Sequence, residues 1–156
     1  MYKRQVENGR QRHRINLANG PGNFHLKPNG VFAVAGDGTV QVVRSQDWQP
    51  GGARWATQSG PMLVIDGRLH PRFDSNGTSL HRRNGVGVAD PNTAWFAISE
   101  EEVSFGRFAR LFRDRLGCPD ALYLDGSVSS LWDPGAGRED GFAALGPLIV
   151  VTRPPE

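Results

Sequence analysis

A single cysteine, Cys118, occurs among 156 residues. No disulfide framework can form within the chain, and no zinc site built on several thiolates can be assembled. No apolar run approaches the roughly 18 residues that a spanning helix needs, and residues 1–30 lack the apolar stretch of a signal peptide. The four histidines, His13, His25, His70 and His81, show no metal-ligand spacing. Neither the Gly-X-Ser-X-Gly elbow of serine hydrolases nor the glycine pattern of phosphate-binding loops occurs, so those two chemistries lose their main sequence support. Basic excess is also scarce where it would matter. The formal charge of +2 and pI near 9.1 arise from Lys3, Arg4, Arg10, Arg12 and Arg14, which give residues 1–14 a net charge of +4 against −2 for the other 142. The body is mildly acidic and has no basic stripe interleaved with aromatics, which argues against nucleic acid as a partner.

What the chain does have is 20 glycines, 11 prolines, eight phenylalanines and four tryptophans. That is enough apolar material for one core, cut into short segments by turn residues. Val31–Ala35 and Thr39–Arg44 flank Gly36-Asp37-Gly38, Met62–Ile65 and Arg68–His70 flank Asp66-Gly67, and Val86–Ala89 and Ala94–Ile98 flank Asp90-Pro91-Asn92. Each is a hairpin signal, Asp-Gly the strongest. Ala121–Leu124 and Leu148–Thr152 complete a set of about eight strands, the last a continuous apolar run suited to burial on both faces. Phe105, Phe108, Ala109, Phe112 and Leu116 recur at helical spacing and predict one amphipathic helix over about 105–116, stopped by Gly117. Ser99 and Ser104 are equal candidates for its N-cap. A second short helix is expected near 52–57, around Trp55. The expected class is α+β with a mostly antiparallel or mixed sheet.

Polar clusters sit at the ends of these strands, where a scaffold presents working groups. Asp125 ends an apolar strand and is followed by Gly126, Ser127, Ser129 and Ser130. A carboxylate there can act as acid, base or nucleophile if its surroundings tune it, and the competing reading is an ordinary Asp-Gly turn. Arg82-Arg83-Asn84 is the natural anion site, because a guanidinium matches phosphate or carboxylate with a planar fork. Strand alternation lets only one of the two arginines face a given site, and Arg83 is preferred. Gln58 and Ser59 before Gly60-Pro61 offer neutral hydrogen bonds of the kind sugar hydroxyls take, with ordinary turn chemistry as the competing reading, and Asn29 lies in the polar cluster Pro28-Asn29-Gly30. Cys118 follows a helix C-terminus, the wrong dipole end for an activated thiolate, and reads as structural.

The order of several motifs carries more information than any one of them. Gly-Asn-Phe at 22–24, Pro-Asn-Gly-Val-Phe at 28–32, Ala-Thr-Gln-Ser-Gly-Pro-Met-Leu at 56–63, Arg-Asn-Gly-Val-Gly-Val at 83–88, Phe-Ala-Arg-Leu-Phe-Arg-Asp at 108–114 and Leu-Tyr-Leu-Asp-Gly at 122–126 together resemble the phosphodiester glycosidase family. The likeness is greatest to its bacterial branch, long described as a domain of unknown function. The resemblance implies a hydrolase acting on a sugar phosphodiester in envelope or exopolysaccharide metabolism, in the periplasm or outside the cell. It implies Asp125 and Arg83 as catalytic residues, with Gln58, Ser59, Asn84, Asn29, Ser129 and Ser130 binding substrate. No motif demands a cofactor; a divalent metal is left open, and nothing in the sequence speaks to oligomeric state. A second carboxylate is expected from Asp66, Asp74 or Asp90 without preference. Many relatives carry Asp-Gly-Gly-Gly-Ser where this chain has Asp125-Gly126-Ser127-Val128-Ser129, a less pliant backbone beside the ligand.

Family domains of this kind also begin earlier. Residues 1–5 read as a non-native head resembling translated adapter sequence, and residues 6–156 as a domain lacking its first strands; a genuine short basic head is the competing reading. Two rival functions follow from the same residues. A carbohydrate-binding module would use Trp48, Trp55, Trp95 and Trp132 as a stacking row, and a metal-assisted phosphodiesterase would bring Asp125 and a histidine within ligand distance.

Overall fold

A computed structural model of the chain describes residues 4–74, 77–125, 129–141 and 148–152, with Arg4 and Asp125 described by their backbone alone. The first sheet is built from β1 (Arg4–Glu7), β2 (Arg10–Gln11), β3 (Gly30–Ala35), β4 (Val40–Arg44) and β5 (Ala53–Ser59), in the order β2-β1-β5-β3-β4. The second contains β6 (Met62–Ile65), β7 (Arg68–Leu69), β8 (Asn84–Asp90), β9 (Thr93–Ile98) and β10 (Asp120–Asp125), in the order β7-β6-β10-β8-β9. A small pair, β11 (Trp132–Asp133) and β12 (Arg138–Glu139), lies beyond. Every pairing among the described residues is antiparallel.

Alternation along the strands sorts the apolar residues into three layers. Phe32 and Val42 of the first sheet meet Met62, Val86, Val88 and Leu122 of the second, forming the core between the sheets. Val6, Val31, Ala33 and Ala56 point the other way and are covered by Trp48 and Ile15. On the far side of the second sheet, Leu63, Val64, Ala121 and Tyr123 pack on a helix, α1 (Phe105–Arg110), which continues as a π-helical turn over Leu111–Arg115. Each large side chain buried this way contributes on the order of 1.5–3 kcal/mol.

All three local hairpins form as the turn residues predict. Asp66 and Gly67 both take positive φ, 48° and 73°, the mirror-image turn geometry that matches strand twist. Asp37 and Asp90 each accept a backbone N–H two residues on, from Thr39 at 2.9 Å and Asn92 at 2.8 Å. The helix is capped by Ser104, whose Oγ accepts from the Arg107 N–H at 3.2 Å. Ser99, the other candidate, instead accepts from the Arg83 N–H.

Three expectations are corrected. Residues 53–59 form no helix: they make β5, the central strand of the first sheet, paired with β1 on one side and β3 on the other. Gly52, at φ 81°, closes the preceding turn, and Trp55 and Thr57 suit a pleated surface. Leu148–Thr152 does not form a buried strand: no described strand offers it a ladder, and Leu148, Val150 and Val151 are 68%, 72% and 82% exposed. The described strands number twelve against about eight expected: the amino-terminal pair, the long β5 and the β11–β12 pair add five to the predicted set, and Leu148–Thr152 drops out of it.

Candidate functional site

The chain crosses from the first sheet to the second through Gly60-Pro61, between the end of β5 and the start of β6. This crossing brings several polar strand ends together. The Ser59 hydroxyl donates to the Leu124 carbonyl at 2.6 Å, tying β5 to the end of β10, and the Tyr123 N–H donates to the Pro61 carbonyl at 3.0 Å. Asp125, the last residue of β10, stands opposite Asn84, the first of β8. Asn84 Nδ2 donates to Ser129 Oγ at 3.0 Å. Ser130 Oγ, next along, is buried and has no hydrogen-bond partner among the described residues. Asn29 lies under the crossing: a Cβ built on Gly60 would stand 2.7 Å from Asn29 Cβ, and Asn29 Nδ2 donates to the Phe24 carbonyl. Ser59, Asn84, Ser129 and the backbone of Asp125 therefore share one end of the molecule. The Asp125 side chain, and Gly126, Ser127 and Val128, lie outside the described residues.

Gln58 stands apart from this group in its bonding. Its Oε1 accepts from the Asn16 N–H at 2.8 Å, while Nε2 donates to the Asn16 carbonyl at 2.8 Å and to Ser45 Oγ at 3.0 Å. Its own N–H donates to Gln5 Oε1. With the residue fully buried, each carboxamide atom is already engaged in pinning the 12–18 segment over the first sheet. A sugar hydroxyl reaching Gln58 would have to displace bonds already made. Gln5, inside the head set apart by sequence, is equally buried within β1.

Arg83 precedes Asn84 and is fully buried, whereas Arg82 is exposed. Its Nε donates to the Val103 carbonyl at 2.8 Å and its Nη2 to the Ser79 carbonyl at 2.9 Å. The guanidinium carbon lies 3.6 Å from the centroid of the Phe105 ring and 5.7 Å from that of Tyr123. Nη1 is buried without a partner, and no carboxylate pairs with Arg83 among the described residues. Burial pulls its pKa down, with the Tyr123 phenol opposing; a guanidinium nevertheless stays charged in proteins. Sequence reasoning missed Phe105 and Tyr123 here, because one reads as helix face and the other as strand core.

Strand direction separates the three candidates for a second carboxylate. The Asp66 N–H donates to Asp120 Oδ1 at the first residue of β10, about 17 Å along the strand from Asp125. Asp90 ends β8, about 20 Å from Asn84. Asp74 alone is at the Arg83 end: it follows Phe73, which stacks on Phe105 at 4.8 Å, and a Cβ on Gly77 would stand 3.8 Å from both Asp74 Cβ and Ser104 Cβ. No cluster of three His, Cys, Asp or Glu side chains converges among the described residues. The expected row of exposed tryptophans is also corrected: Trp48 is buried in the first sheet's outer layer, and the other three are exposed on β5, β9 and β11.

His70 is not the surface residue that its type suggests. It is 1% exposed; Nδ1 accepts from the Arg72 N–H at 3.2 Å, so Nε2 carries the proton and donates to the Lys27 carbonyl at 3.1 Å. Burial holds its pKa below the ordinary histidine value. The unfolded chain then binds a proton that the folded chain refuses, so stability is lost as pH falls below about 6.5. Urea unfolding between about pH 7.5 and pH 5.5 should show this slope. In His70→Gln, which keeps an acceptor and a donor, the slope should shrink; an unchanged slope would assign it to another group.

A model of the family described as phosphodiester glycosidase matches residues 3–142. The uncharacterized protein YigE of Escherichia coli (strain K12) is 40% identical over 131 residues, covering 83% of this chain and 51% of YigE. The uncharacterized protein y4bJ of Sinorhizobium fredii is 29% identical over 108 residues, 65% of this chain and 16% of that protein. The catalytic domain of zebrafish N-acetylglucosamine-1-phosphodiester alpha-N-acetylglucosaminidase, auto-inhibited by its pro-peptide, shares the fold with a TM-score of 0.53 at 14% identity, over 81% of this chain and 46% of that one. The chain thus spans about half the length, or less, of the relatives it matches. The ordered motifs, the two-sheet fold and the family match agree: the chain belongs to the phosphodiester glycosidase family.

Proposed function

We propose that this chain forms the core of a hydrolase that cleaves the bond between a sugar and a phosphodiester in envelope or exopolysaccharide metabolism, in the periplasm or outside the cell. The observation that carries the reading is Arg83: a buried guanidinium with a spare N–H and no carboxylate partner among the described residues, adjacent in sequence to Asn84, which is paired with Asp125. A buried charge with no carboxylate partner among the described residues is costly, and an anionic substrate would offset it.

In this reading water adds to the anomeric carbon, the bond from that carbon to the phosphate oxygen breaks, and the phosphate departs as a monoester. Asp125 serves as acid, base or nucleophile, with Asp74 as the second carboxylate. Asn84, Ser59, Asn29, Ser129 and Ser130 line the strand ends that receive sugar and phosphate oxygens. A phosphate is already a good leaving group, so protonation of the leaving oxygen matters less than in ordinary glycoside hydrolysis. Preorganised positive charge and N–H donors matter more.

The test is a turnover screen of the full-length protein against sugar-1-phosphodiesters, with and without chelator, reading free sugar and phosphomonoester. Hydrolysis unaffected by chelator is expected. Cleavage of neutral aryl glycosides with no turnover of any phosphodiester would sink the reading, and activity abolished by chelator and restored by a divalent metal would shift it to a metal-assisted phosphodiesterase.

A further inference from the structure

A buried arginine is ordinarily matched by a carboxylate, which satisfies its donors and cancels its charge. Arg83 is stabilised differently. An aromatic face attracts the cation through its quadrupole but takes up none of the in-plane N–H groups. The Phe105 ring lies 3.6 Å from the guanidinium carbon. In the guanidinium plane, Val103 and Ser79 each accept one donor and fix the rotation about the side-chain axis. The Tyr123 hydroxyl also interacts with the guanidinium, and among the described residues no carboxylate pairs with it and Nη1 has no hydrogen-bond partner.

The ring that supports Arg83 is itself locked. Phe105 is the first residue of α1, directly after the Ser104 cap. It stacks on Phe73 with centroids 4.8 Å apart and planes within 9°, and meets Tyr123 edge-on at 4.9 Å. Phe73 stacks in turn on His70 at 4.7 Å, whose two ring nitrogens are held by Arg72 and Lys27. A column of His70, Phe73, Phe105 and Arg83 therefore runs from the Lys27 loop to the beginning of β8.

Resting on the function proposed above, we propose that Phe105, backed by Phe73 and Tyr123, is a positioning residue that supports the Arg83 guanidinium through its ring face and sets its plane so that Nη1 serves the substrate's phosphodiester. The ligand class that fits is a singly charged phosphodiester: one negative charge against one positive charge, with oxygens able to accept the spare N–H. A sugar without phosphate gains nothing from this arrangement. The competing role is a plain staple joining β8 to the start of α1.

The two roles separate in Phe105→Met, which keeps apolar volume but removes the ring, and in Phe105→Trp, which restores a π face. The probes are the methyl phosphodiester of N-acetylglucosamine 1-phosphate and a neutral 4-nitrophenyl N-acetylglucosaminide, used with the full-length protein. In parallel, the arginine Nε–H resonances are recorded by NMR and Arg83 is assigned with Arg83→Lys. In Phe105→Met, KM for the phosphodiester should rise about tenfold with kcat changed less, the neutral glycoside should be unaffected, and the Arg83 Nε–H should shift and exchange faster. Phe105→Trp should recover much of each. Equal losses on both substrates, or a folded Phe105→Met with unchanged KM, would overturn the positioning role. If the wild-type protein turns over neither probe, the function falls while the clamp is still judged: an Arg83 Nε–H unmoved by Phe105→Met overturns it, and a shifted one supports it.

Discussion

Asp125→Asn in the full-length protein is expected to lower kcat on a sugar-1-phosphodiester by at least about two orders of magnitude while leaving the thermal transition in place. The amide has nearly the shape of the carboxylate but can neither accept a proton at neutral pH nor attack the anomeric carbon. Asp125 terminates β10 opposite Asn84, with Ser59 tied to Leu124 one residue before it, so its backbone is fixed from both sheets and the exchange should not disturb the fold. Strand geometry supplies the controls. Asp66→Asn and Asp90→Asn change carboxylates about 17–20 Å away along the strands and should leave kcat within about twofold, whereas Asp74→Asn should give the second-largest loss. The measurement is steady-state turnover with circular dichroism melts on the same preparations. Near-normal turnover in Asp125→Asn would remove that residue from the chemistry, and an equal loss in Asp66→Asn would place the reaction at the other end of the sheet.

Much of this arrangement is legible in the sequence because it is local. Asp66-Gly67, Asp90-Pro91-Asn92 and Gly36-Asp37-Gly38 determine their own turns, and the spacing of Phe105, Phe108 and Phe112 determines a helix face. What was missed depends on residues far apart in the chain. Trp55 does not reveal that Val34 will pair with it. The apolar run from Leu148 to Val151 has strand composition, but composition names no partner. At the site, the grouping of Asn84, Asp125 and Ser129 follows from their places in the chain, since Asn84 begins β8, Asp125 ends β10 and Ser129 lies just beyond it. Gln58 looked equally suitable by that rule, yet its carboxamide is committed to Asn16, 42 residues away. Alternation lets only one of Arg82 and Arg83 face a given site, and Arg83 is the buried one; that Phe105 would support it depends on how closely the helix approaches the sheet.

That approach is set by Gly87, and Gly87→Ala is expected to destabilise the protein by about 3 kcal/mol, roughly a 10 °C fall in melting temperature for a chain of this size. Along β8, Val86 and Val88 face the first sheet while Gly85 and Gly87 face α1 and the turn after it. A Cβ on Gly87 would stand 2.5 Å from Phe112 Cδ1 and 2.7 Å from Cys118 Sγ, with Cys118 Cβ at 3.0 Å. Phe112 and Cys118 are both fully enclosed, at 0% and 1% exposure, so neither can give way without moving its own neighbours. The cost should be partly relieved in the double variant Gly87→Ala, Phe112→Leu, whose loss would be smaller than the two single losses together. Phe105 and Phe112 belong to one continuous helical segment. Lifting its far end off β8 should therefore also disturb the stack on Arg83, and below the melting transition the Arg83 Nε–H of Gly87→Ala should exchange faster than in the wild type. A neutral Gly87→Ala would mean that the helix stands further from the sheet than 2.5 Å allows, and the contact between Phe105 and Arg83 would have to be redrawn with it.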